Sequence, residues 1–164
     1  MKFGKTLLVL VLAMLFVFVA MTASAQVDTK AEAVLKQVVY ANKVTEIMSP
    51  WIMAMKGVGE QSTLAGASPM LMLDADWRRL TVVYLAVLGT PEGWLKELTP
   101  PAHLKPVHRE LLKAAKLSTQ AAALYAKGVD TMDGSKIIAA SRKMAEVGKV
   151  MGKATALLEK LRIK

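Results

Sequence analysis

Through four segments of this chain, apolar or small residues recur at alternating spacings of three and four, and this periodicity restricts the fold more than any other feature. A helix repeats every 3.6 residues, so such spacing lines up one seam for burial along each segment. The first seam reads Ala31, Val34, Val38, Ala41, Thr45, Met48, Ile52 and Met55, and the second Met70, Leu73, Trp77, Leu80, Tyr84 and Val87. The third reads Leu104, Val107, Leu111, Ala114, Ser118, Ala121 and Tyr125. The fourth, with charges on its other faces, reads Ile137, Ala140, Met144, Val147, Met151, Ala154, Leu158 and Leu161. No segment shows the period-two alternation of a half-buried strand. The pattern predicts an all-α protein with helices over about 28–56, 69–89, 101–127 and 132–163, and a short helix over about 91–98.

Local signals suggest the boundaries. Ser68-Pro69 joins a capping residue to a proline suited to the first helical position, Thr90-Pro91 repeats the device, and Pro100-Pro101 precedes the third helix. Gly128 is the expected stop of that helix. Residues 57–68, rich in glycine, serine and alanine, predict a flexible loop. Pro50 predicts a bend in the first helix that tips residues 51–56 across the end of the bundle.

A single helix cannot bury its seam, but four together can, so the expected architecture is an antiparallel up-down four-helix bundle. The alternative is a looser pair of helical hairpins that dimerises to complete its core. The third and fourth helices would each run roughly 40 Å. Their small residues Ala114, Ala121, Ala140, Gly148, Gly152 and Ala154 predict close approach.

Ahead of this domain, residues 1–25 carry the parts of a secretory signal: Lys2 and Lys5, an apolar run from Leu7 to Met21, then Ala23-Ser24-Ala25. Cleavage after Ala25 leaves residues 26–164 as one domain. The competing reading is an uncleaved anchor, for which a 15-residue apolar run falls short of the roughly 20 that span a bilayer. The chain has no cysteine, hence no lipid attachment and no disulfide. Asn42, the one asparagine, is followed by Lys43-Val44 and forms no glycosylation sequon. These features point to the bacterial periplasm or cell envelope, or to secretion.

Without the signal the chain holds 20 basic and 13 acidic side chains, about +7. Such a surplus favours an anionic envelope polymer or lipid headgroups as partner. Nucleic acid ranks low, because the few aromatic residues do not interleave with the lysines. The residues expected to carry this contact are Lys105, Arg109, Lys113, Lys116, Arg142, Lys143, Lys149 and Lys153.

A second surface follows from the predicted topology, which gathers Met48, Met53, Met55, Met70, Met72 and Met132 at one end of the bundle beside Trp51. Trp51 and Met53, Met55, Met70, Met72 and Met132 would grip an apolar segment of another envelope protein, since thioethers adapt to varied shapes. Met53, Met55, Met70 and Met72 also form close pairs suited to Cu(I). The plainer reading is that methionines fill an irregular bundle end, and Met48 and Met55 lie on the seam itself.

Catalytic patterns are missing. There is no cysteine nucleophile, no Gly-x-Ser-x-Gly turn, and no Cys-x-x-Cys-His for haem attachment. His103 and His108, five apart, stand about 140° from each other around a helix and make poor co-ligands. No cofactor is expected. The sequence points to a non-catalytic binding module, with Cu(I) handling as the alternative and a small enzyme without a recognisable motif as the third reading.

Overall fold

The computed structural model describes residues 27–162, and the predicted signal segment 1–25 lies outside them. Every regular element among the described residues is helical. In chain order these are α1 (Val27–Ala67), a 3-10 turn (Pro69–Leu73), α2 (Ala75–Gly89), α3 (Pro91–Lys96), a second 3-10 turn (Ala102–Leu104), α4 (Lys105–Asp130) and α5 (Gly134–Arg162). None of the described helices is long and apolar enough to cross a membrane.

The hairpin of α4 and α5 is the most extensive helix–helix packing among the described residues. Its seam follows the spacing closely: Leu104, Val107, Leu111, Ala114, Ser118, Ala121 and Tyr125 are all buried, as are Ala140, Val147, Met151, Ala154 and Leu158 opposite them. Gly152 is the exception among the small residues, being exposed with open space around the position of a Cβ. Gly128 does not stop α4, which continues to Asp130. A Cβ there would lie 2.7 Å from Ile137 Cγ1 and 3.1 Å from the Asp133 carbonyl oxygen, so the missing side chain lets α5 begin against the end of α4. The reversal itself is made by Met132 at φ 54°, after which the Asp133 carboxylate caps α5 by accepting from the Ser135 amide at 3.0 Å.

The first half departs from expectation. Residues 57–67, predicted as a flexible loop, are the last three turns of α1. Gly57 serves contact here, because a Cβ would sit 2.5 Å from the Tyr84 ring. The helix also continues through Pro50, so residues 51–56 remain helical and Trp51 and Ala54 face the core. The buried seam of α1 is Tyr40, Val44, Ile47, Trp51, Ala54, Val58, Gln61 and Ala65, displaced one position from the predicted one, of which Met48 alone is also fully buried. In α2 it is Trp77, Thr81, Leu85 and Leu88, again mostly one position away. Nor does Ser68 cap α2; Asp74 does, accepting from the Trp77 amide at 2.8 Å.

Polar bonds, buried and exposed, tie the helices together. Tyr40 meets His108, Trp51 meets Ser118 and Ser62 meets Tyr125, so α1 and α4 run in the same sense. Arg78 pairs with Asp130, and the Leu88 carbonyl accepts from Ser118, so α2 opposes α4. At the centre, Trp51 Nε1 donates to Ser118 Oγ at 2.9 Å and that hydroxyl donates to the Leu88 carbonyl at 3.1 Å. Leu88 lies in the last turn of α2, whose carbonyls lack an intrahelical partner, so one serine satisfies both an indole and a helix end.

Candidate functional site

Lys105, Arg109, Lys113 and Lys116 follow one another at spacings of four, four and three, which keeps them on the side of α4 turned away from its buried seam. All four are exposed. On α5, Arg142, Lys149 and Lys153 are exposed, whereas Lys143 is half-buried with its Nζ donating to Gln120 Oε1 of α4 at 2.9 Å. The two helices lie side by side, so the structure brings the eight predicted cations onto one hairpin, in one row along α4 and, for Arg142, Lys149 and Lys153, a second along α5.

Among the described residues, none of these eight has a carboxylate within ion-pairing distance. The ion pairs lie elsewhere: Lys36–Glu32, Lys56–Glu60, Arg78–Asp130, Arg79–Asp76, Lys96–Glu92 and Lys136–Asp133. The hairpin therefore carries a net positive field, reduced but not cancelled by Glu110, Glu146 and Glu159. Between the cations Ala123, Ala145 and Ala156 are exposed, and Glu146 of α5 is an exposed acidic residue between Arg142 and Lys149. The exposed large apolar residues of α4 and α5 are Ile138 and Leu161, close to the two ends of α5.

The methionine end is assembled only in part. Met48 is core, Met55 is half-buried and Met53 is exposed on α1. Because α1 runs on to Ala67, Met55 stands about 18 Å along the axis from the end of the helix. Met70 and Met72 lie beyond that end, where Arg78 donates to the Met72 carbonyl at 3.2 Å and pairs with Asp130, which directly precedes the turn holding Met132. Met70, Met72 and Met132 therefore share one end, while Met53 and Met55 are kept apart from it. The four thioethers suggested for Cu(I) do not converge, and no cluster of three or more histidine or carboxylate side chains suited to a metal occurs among the described residues.

Trp51 cannot belong to a contact surface, since its side chain is fully buried and bonded to Ser118. The one-position shift of the α1 seam is the reason. No family model, curated protein or solved structure matches this chain.

At the other end of the molecule, His103 is exposed in the second 3-10 turn, and His108 is buried with its Nδ1 3.0 Å from the Tyr40 hydroxyl. Burial pushes the His108 pKa down and the Tyr40 pKa up, which favours the neutral form of both, and the histidine tautomer sets which of the two donates. An open cleft of about 1000 Å³ lies beside them, between the first turns of α1 and residues 97–103. Val34, Val39, Leu98 and Pro101 form apolar wall, and Lys30 and Lys43 stand at the lysine-bearing side. Periodicity gives no hint of this concavity, because it forms between segments some 60 residues apart in the chain.

Proposed function

We propose that this protein is exported, with its signal removed after Ala25, and acts as an up-down four-helix bundle that holds an acidic polymer of the cell envelope on the α4–α5 face. The observation that carries this reading is the pair of cation rows without carboxylate partners. From Lys105 to Lys116 one row extends about 16 Å, long enough to meet several successive charges of a linear polyanion. Polymer is favoured over lipid because the face offers no large apolar side chain to enter a bilayer. It is favoured over single-stranded nucleic acid because no aromatic ring stands among the cations to stack on bases.

Binding of the secreted protein to long-chain polyphosphate, followed by fluorescence anisotropy at increasing salt, tests the reading. Affinity should fall steeply and linearly on a log–log plot as counterions compete, and Lys113→Glu with Lys116→Glu and Lys149→Glu should weaken it by at least about ten-fold. Salt-independent binding, or equal binding by the triple variant, overturns the proposal. Tighter binding to anionic vesicles than to polymer would reassign the face to lipid.

A further inference from the structure

From Leu80 through Gly89, α2 carries no charged residue, yet only one side of the helix is covered. Trp77, Thr81, Leu85 and Leu88 turn inward, while Leu80, Val82 and Val83 are 43, 63 and 53% exposed and Leu73, just ahead of the helix, is 59% exposed. A helix that is apolar all round is ordinarily enclosed on all sides. The outward residues within the helix are ordered as well: Leu80, Val83 and the half-buried Val87 follow at spacings of three and four, the repeat of a helix–helix seam. This helix thus has two seams, one spent on its own core and one facing solvent.

We infer that the outward seam of α2 packs against α2 of a second copy, forming a two-fold symmetric dimer. Charge selects the occupant. Residues 26–104 hold 7 basic and 8 acidic side chains, whereas residues 105–164 hold 13 and 5. Two copies can meet through the near-neutral half without repulsion, and not through the +8 half. The charges flanking the seam, Asp76 and Arg79, are one of each sign and pair within the helix at 3.2 Å, so neither copy brings net charge to the contact. A symmetric contact here leaves the α4–α5 faces of both copies outside it. A contact through one 15-residue helix is smaller than the roughly 800 Å² per partner of a standard interface, so the association should be reversible and in the micromolar range.

Sedimentation equilibrium of the full chain, purified in the form its host leaves it, reads this directly. Dimer should dissociate on dilution, and Val83→Lys or, independently, Leu80→Lys should weaken association by at least about ten-fold with unchanged helical circular dichroism, since both side chains are already exposed. Leu35→Lys, an equally exposed site on α1, should leave association as it was. A chain that stays monomeric at all concentrations up to about 1 mM, or a dimer indifferent to both α2 variants, overturns the inference.

Discussion

α2 and α5 differ in how charge is spaced along them, and the contrast accounts for much of this protein. Along α5 no more than five residues separate one charge from the next, so its apolar residues have a single face available and that face is its core. Along α2 twelve uncharged residues separate Arg79 from Glu92, so apolar residues occupy two faces and the core takes one of them. Extending this to the two halves of the molecule, the C-terminal hairpin uses its surface for charge, and the N-terminal half leaves apolar surface free. The binding role proposed for the first and the self-association proposed for the second rest on that division.

The largest expected effect is at the joint between the halves. Trp51→Ala would empty a fully buried site and strip Ser118 of its donor, with a loss of about 3–5 kcal/mol in urea denaturation. A loss below about 1 kcal/mol would show that the halves are held together by something other than this indole. Next come two glycines of the cationic hairpin. Gly128→Ala places a methyl against Ile137 and the Asp133 carbonyl and should cost about 1–3 kcal/mol, whereas Gly152→Ala meets open space and should add about 0.5–1 kcal/mol. Equal effects at the two positions would mean that the α4–α5 turn relaxes freely.

The smallest effect is one of pH. The folded state lowers the His108 pKa, so the unfolded chain binds a proton more readily. Stability is therefore complete above the ordinary histidine value of about 6.5 and declines as pH falls below it. Melting temperature measured between pH 7.5 and 5 should fall, and should fall less in His108→Gln, which keeps an acceptor for Tyr40. An identical decline in that variant would place the pH dependence elsewhere.

Much of the fold was legible because helical periodicity is a local property. The seam of α4 and α5 and the cation rows emerge from spacing, whereas the end of α4 lies beyond the Gly128 that was expected to stop it. In α1 and α2 the same reasoning settles on a stripe displaced by one position, since Ile47 through Met55 and Leu80 through Gly89 offer apolar residues in more than one phase and no charge to decide among them. Glycine was misread for a related reason. Gly57 and Gly59 look like loop residues, but Gly57 answers to Tyr84, which lies 27 positions later. Once the end of α1 was placed at residue 56 rather than Ala67, Met53 and Met55 were drawn into an end of the bundle that they do not reach.

The sequence by itself determined the helical class, the position of the hairpin and the concentration of positive charge on it, because each depends on residues within a few turns of one another. Only the tertiary structure decided which face of α1 and α2 is inside, and with it the burial of Trp51, the Tyr40–His108 bond and the cleft beside them. Those depend on contacts between residues more than 60 positions apart, where the free energy of burying one phase of a helix over another comes from the partner it meets and not from the helix itself.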